Sequence, residues 1–238
     1  LFSRINLKPG GRLVLFEKFL LGGGMKSLCT DRIVIAAACV AVACGFATPE
    51  ALAKAGQIQF VGGDARIVLA SGGERVAQKG AELNEGDTVV TGRDTTVQLR
   101  MADDGLIAVR PDSQLKIEVY QYSGREDGTE RGTLALLRGS FRTLTGIIGR
   151  VNKRNYLVRT PSATIGIRGT DHEVVFIPVP AAGELPAGTP GTYNKVNVGE
   201  TFMESQGGRL ELGANQVGFA ALTPGSAPVR LDTVPPFM

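Results

Sequence analysis

The only histidine of the chain, His172, lies between Asp171 and Glu173 in the stretch DHEVVF. An imidazole beside carboxylates is the grouping a general base needs, and a Ser-His-Asp hydrolase would have to be built on this residue. Little else supports such chemistry. Neither G-x-S-x-G nor H-E-x-x-H occurs, and a lone histidine between two acids reads as a solvated or structurally bonded group. The three cysteines, Cys29, Cys39 and Cys44, all precede residue 54, so the chain beyond has no thiol for a disulfide or a thiolate metal centre. Asp103, Asp104 and Asp112 could offer oxygens to calcium from loop positions, yet their spacing matches no calcium loop, and turn chemistry accounts for them better. The expectation is a protein with no catalytic residue, no cofactor and no metal.

Charge patterning is more informative. The chain holds 26 Lys and Arg against 23 Asp and Glu, and residues 1–53 carry six and three of these, leaving 20 of each from Lys54 onward. Net charge therefore lends no support to nucleic-acid binding. Within that neutral total, the segment from Arg131 to Thr170 contains Arg131, Arg138, Arg142, Arg150, Lys153, Arg154, Arg159 and Arg168 and no acid. Two readings stand. These cations pair with acids on separate strands, or GRVNKRNYLVR (149–159) projects Arg150, Lys153 and Arg154 as a basic loop toward an anionic envelope component or an acidic protein face.

The stretch TPSATIGIRGTD (160–171) puts Thr160 and Pro161 before an alternating run in which Ala163, Ile165 and Ile167 face inward. Pro161 marks the first residue of a strand or an edge, because it cannot donate to a ladder. Gly166 and Gly169 mark a bend or the close approach of another backbone. Between them Arg168 has room to lay its guanidinium across a strand, with Asp171 beyond Thr170 as the nearest carboxylate. The structural reading is a corner held by a buried, satisfied arginine; the functional reading is an anion or partner contact.

The elements that must position these residues are strands. In LKIEVYQY (115–122), Leu115, Ile117 and Val119 take one face, and Lys116, Glu118 and Tyr120 the other. TTVQLRM (95–101) repeats the alternation with Val97, Leu99 and Met101 inward, and ARIVLA (65–70) and DTVVT (87–91) are shorter strands. Turn signals recur about every ten residues, SGREDGTERG (123–132) reads as a hairpin loop, and no stretch after Lys54 sustains helical periodicity. VGGDARIVLASGG (61–73) and VGETFMESQGG (198–208) echo one another faintly, as stacked β units would. The fold expected is all-β, with short antiparallel strands in a stacked, partly solenoid-like β-sandwich.

Three segments, GDTVVTGRDTTVQLRMADDGLIAVRPDSQLKI (86–117), LALLRGSFRTLTG (134–146) and YLVRTPSATIGIRGTDHEV (156–174), together resemble the FecR-domain family. The resemblance spans about 58 to 178 and extends toward 222. It implies an all-β periplasmic module for protein contact or sensing, without catalysis. In the best-known members this module sits behind a cytoplasmic sigma-factor-binding domain and a retained membrane helix. That arrangement is not expected here.

The leader gives the reason. MKSLCTDR (25–32), the apolar run 33–47 and ALA (51–53) stand in the order of a secretory signal peptide cleaved after Ala53, and the apolar run is too short for a membrane span. A rival is AVAC (41–44), a loose lipoprotein box that would leave the protein lipid-anchored at Cys44. The expected organisation is an early or non-coding start over 1–24, a signal peptide over 25–53, a FecR-type β domain over 54–178, and a Pro/Gly/Ala-rich loop over 179–191. A β extension of the same domain follows over 192–222 and a Pro-rich tail over 223–238. The expected function is a periplasmic, non-enzymatic binding or sensing module in envelope signalling, with no permanent transmembrane helix. The alternative is a structural envelope component, lipid-anchored or assembled through strand edges.

Overall fold

Alternating side chains along short strands bury one face of each, and the chain folds them into two sheets around a shared core. The computed structural model describes residues 54–181 and 188–238; the leader, with Cys44 and the Ala53 cleavage position, lies outside them. Strand accounts for 54% of the described residues and helix for 3%, so the all-β expectation holds.

The first sheet runs β4 (Glu82–Asn84), β1 (Lys54–Gly62), β6 (Thr96–Met101), β7 (Leu106–Val109), the second half of β9 (Arg131–Leu144), β12 (Asp171–Ile177), β13 (Gly191–Val198), β16 (Val217–Ala221) and β17 (Val229–Leu231). The second runs β3 (Glu74–Val76), β2 (Ala65–Val68), β5 (Thr88–Thr91), β8 (Gln114–Gln121), the first half of β9, β10 (Tyr156–Arg159), β11 (Thr164–Ile167), β14 (Thr201–Ser205) and β15 (Gly208–Leu212). Beyond β9 the chain places β10–β11, β12–β13, β14–β15 and β16–β17 in the two sheets by turns. That alternation is the stacked character the sequence suggested. The echoing segments 61–73 and 198–208 each open a hairpin of the second sheet, β2–β3 and β14–β15.

The strands are not all short and antiparallel as expected: β9 has 14 residues and pairs with β10 in parallel. It joins the two sheets, and its sequence shows how. Leu134 and Leu136 point into the core before the crossing, Phe141 and Thr143 after it, so the inward parity changes from even to odd. The break falls at Gly139, whose φ of 82° is left-handed and whose missing Cβ leaves room for Ser113. Ser113 pins the crossing: its Oγ accepts from Ser140 N at 2.8 Å and donates to Ser140 O at 3.1 Å.

A second irregularity corrects the sequence reading of β8. A β-bulge between Ile117 and Val119 adds one residue against β9, after which the alternation inverts. Tyr120, expected outside, is 1% exposed in the core, and Val119, expected inside, is only half-buried. The segment 223–238 also departs from the idea of a tail. It supplies β17, and Phe237 packs edge-on against Tyr193 at 5.0 Å, with Phe219 4.6 Å away on the other strand.

Candidate functional site

Between β9 and β10 the chain makes one short helix, α1 (Ile147–Val151), and its anchor is Asp103 in the turn joining β6 and β7. A helix start leaves backbone N–H groups without partners, and the Ncap residue here, Gly146, has no side chain to supply one. Asp103 supplies them from another loop. Its carbonyl oxygen accepts from Ile147 N at 3.0 Å and its Oδ2 from Ile148 N at 3.1 Å. Its Oδ1 accepts from the Tyr120 hydroxyl at 2.6 Å and from Gly105 N at 3.1 Å, so the fully buried carboxylate is bonded on both oxygens. Burial and the neighbouring Tyr156 and Asp103 push the Tyr120 phenol well above its ordinary range and keep it a donor. The bulge in β8 is what brings that hydroxyl inward.

α1 lifts a basic segment out of the sandwich. Arg150, Val151, Lys153 and Arg154 are all exposed. Asn152 and Asn155 tie the loop to the β8–β9 hairpin, donating from Nδ2 to Gly128 O and Glu130 O at 3.0 Å each. Among the described residues, no acid lies within ion-pair distance of Arg150, Lys153 or Arg154. The rest of the cation-rich segment divides. Arg142 pairs with Asp171, Arg159 with Glu118, and Arg168 with Glu200 and Glu211, whereas Arg131 and Arg138 are exposed and, among the described residues, make no ion pair either. Both sequence readings are thus part of the answer: some cations are consumed by acids elsewhere, and of those that are not, Arg150, Lys153 and Arg154 are neighbours in one loop.

The TPSATIGIRGTD stretch packs against this end, and its arginine is not where the sequence put it. Pro161 sits in the tight turn between β10 and β11, closed by Thr160 N donating to Ala163 O at 2.9 Å, and not within a strand. The hydroxyls of Thr160 and Ser162 each lie 2.6 Å from Thr192 Oγ1 on β13. Gly166 faces Phe202 across the β11–β14 ladder, and a Cβ there would enter the ring, over which the Arg209 guanidinium lies at 3.7 Å. Gly169 has a left-handed φ of 68° in the β11–β12 turn and packs beside Arg150. Arg168 is in that same turn, with its side chain 40% exposed and its acids at 3.6 and 3.9 Å. The expectation of a buried guanidinium serving Asp171 is therefore corrected: the turn points Arg168 outward, and Asp171 is held by Arg142 from β9 at 2.9 and 2.6 Å, with Asn197 donating at 3.2 Å. The Arg142 hydrogen bonds, set against partial burial, keep the Asp171 carboxyl below the usual carboxylate range. Thr170 locks the turn to the segment leading into α1, its N–H donating to Thr145 Oγ1 at 2.8 Å and its carbonyl accepting from Thr145 N at 3.0 Å.

His172 takes no part in a site. It is fully buried, its Nδ1 is 2.9 Å from Asn194 Oδ1, and Asn194 donates onward to Thr201 Oγ1 at 2.8 Å. Burial pushes the imidazole down to about 4 against the weaker pull of Asn194 and the flanking acids. It is a neutral core group near neutrality, not a solvated one. Asp103, Asp104 and Asp112 do not converge: Asp104 and Asp112 are turn residues with φ of 63° and 51°, and Asp104 is taken by Arg100. Among the described residues no three His, Cys, Asp or Glu side chains gather as a metal ion would require.

Fold and site together define an open, sheet-switching β-sandwich carrying an exposed basic tip. Residues 87–177 of it, from the turn before β5 to the end of β12, match the family model described as FecR protein, the family that the sequence resembles. β1, which pairs with β6, and β13, which pairs with β12, continue the sheets beyond both limits of that match. No curated protein matches the chain. Two crystal structures of a protein described as a "putative anti-sigma factor" from Parabacteroides distasonis ATCC 8503 are similar at 12% identity, with TM-scores of 0.44 and 0.45. Each alignment covers 60% of this chain and 58% of the other, so this chain spans less than two thirds of that length. A structure described as a cell surface anchoring domain aligns at 28% identity over 26% of this chain and 80% of its own, with a TM-score of 0.25.

Proposed function

We propose that the protein is a non-enzymatic binding or sensing module in cell-envelope signal transduction, working in the periplasm, with the tip formed by Arg150, Lys153 and Arg154 as its contact surface. The FecR match over 87–177 supports the signalling role. The observation that carries the contact surface is that three neighbouring cations stand exposed without acids while Arg142, Arg159 and Arg168 are all paired. Unpaired like charges repel one another, so their clustering favours an anionic partner. The leader order read from the sequence supports export, and among the described residues no helix is long and apolar enough to cross a membrane. The alternative of assembly through strand edges has less support, because the free edges β3, β4, β15 and β17 are only three to five residues long.

The test is transcriptional. A strain lacking the protein should show altered expression of a limited gene set under envelope stress, restored by the wild-type chain but not by Arg150→Glu/Lys153→Glu/Arg154→Glu produced at equal level. Full restoration by the triple variant would remove the tip from the function, and an unchanged transcriptome in the deletion strain would remove signalling. Mass spectrometry of the mature amino terminus, showing Lys54 or acylated Cys44, tests export.

A further inference from the structure

We infer that the basic tip is a docking surface for anionic phospholipid headgroups, so that the sandwich rests with its α1 end against a bilayer. The inference builds on the reading of Arg150, Lys153 and Arg154 as a contact site and assigns its partner.

Three observations on the same end of the molecule support it. The first is composition: beside the three cations Val151 is 49% exposed, and Leu144 and Leu106, facing each other across β9 and β7 just before the helix, are 47% and 40% exposed. Cations flanking protruding aliphatic side chains suit the boundary between headgroups and acyl chains, where charge meets phosphate and the apolar groups leave water. The second is the neutralisation of acids nearby. Glu82 is paired with Lys54, Asp104 with Arg100, and Asp171 with Arg142, while the adjoining hairpin carries Glu126, Asp127 and the buried Glu130 against Arg125 and Arg131. With one acid of the hairpin left over against the three cations of the tip, the exposed charge at this end stays positive.

The third observation is where the chain enters. Ala55 O accepts from Ala102 N at 2.9 Å, and the next residue, Asp103, accepts from Ile147 N and Ile148 N of the helix. Lys54 therefore emerges at the α1 end. Cleavage after Ala53 would add the new α-amino group to the positive end. Acylation at Cys44 would instead tether this end within about 35 Å of the bilayer, the most that ten residue steps can span. Either form of the amino terminus would add its membrane affinity at the α1 end.

The test is vesicle co-sedimentation of the full chain, using phosphatidylcholine alone and phosphatidylcholine with about one third phosphatidylglycerol. The difference between the two isolates the charge-dependent part and cancels any partition through the apolar run 33–47. Each cation near an anionic surface contributes about fivefold, so Arg150→Gln/Lys153→Gln/Arg154→Gln should lower the phosphatidylglycerol-dependent partition by about 100-fold, and raising the salt should weaken the wild type toward the variant. Because these side chains make no ion pair with the described residues, an unchanged melting temperature is expected of the variant and separates the effect from unfolding. A phosphatidylglycerol-dependent partition that the triple variant retains would overturn the inference. So would its absence from the wild type. If the transcriptional defect of the charge-reversed protein persisted in either case, the contact site would stand and only its lipid partner would fall.

Discussion

Asp103→Ala should be among the most costly single substitutions in this domain, although the residue is a small acid in a turn. The carboxylate bonds the Tyr120 hydroxyl, Gly105 N and Ile148 N, and Tyr120 and Ile148 are both within 1% of full burial. Truncation leaves two of those donors without partners in the interior at about 1–3 kcal/mol each, for a total near 4 kcal/mol. In a domain of this size about 4 kcal/mol lowers the melting temperature by roughly 8–16 °C. Asp103→Asn keeps an oxygen for Tyr120 and Gly105 but turns an amide toward Ile148 N–H, and should cost about half as much. Thermal unfolding by circular dichroism measures the ranking, and hydrogen exchange at Ile148 should accelerate in both variants. If both melt within about 2 °C of the wild type, Asp103 does not hold α1 and the positioning of the basic tip must have another cause.

Burial holds the His172 imidazole near 4, below its unfolded value, so its stabilising contribution is complete above about pH 6.5 and is lost as pH falls toward 4, by about 3 kcal/mol in all. Denaturant titrations between pH 7 and 4.5 should show this slope in the wild type and a flatter one in His172→Gln; equal slopes would contradict it. Arg168→Ala should cost under about 1 kcal/mol, since its pairs are long and exposed, whereas Arg142→Ala strips two bonds from the largely buried Asp171 and should cost about 2 kcal/mol. The reverse order in urea unfolding would restore Arg168 as the structural arginine. Gly166→Ala places a methyl where the Phe202 ring lies and should destabilise by about 1–3 kcal/mol. Added to Phe202→Ala, the same change should cost far less, and simple additivity in a double-mutant cycle would rule out the ring as the cause.

Much of the fold was legible because strand periodicity is local. Val97, Leu99 and Met101, and later Ala163, Ile165 and Ile167, alternate inward as their spacing requires, and the hairpin loop of 123–132 joins β8 to β9. The errors fall where one residue breaks the period. Val119 and Tyr120 exchange faces because of a bulge whose partner lies on another strand, and nothing within LKIEVYQY records it. The site was legible in composition only. The run of eight cations without an acid marked the right region, but which of them remain unpaired depends on Glu118, Asp171, Glu200 and Glu211, which arrive from elsewhere in the chain. Asp103 carried a signal, a DDG turn, that points to turn chemistry and cannot reveal a helix 44 residues later.

From the sequence alone came the all-β class, the strands, the cation-rich segment and the family resemblance, because each depends on residue type at short spacing. Tertiary structure decided the rest: that β9 crosses between sheets at Gly139, that Asp171 goes to Arg142 and leaves Arg168 in a turn, and that Asp103 lifts Arg150, Lys153 and Arg154 into solvent. Those outcomes turn on which distant groups compete for the same hydrogen-bonding atoms. Only the folded chain, by bringing the competitors into contact, settles that competition.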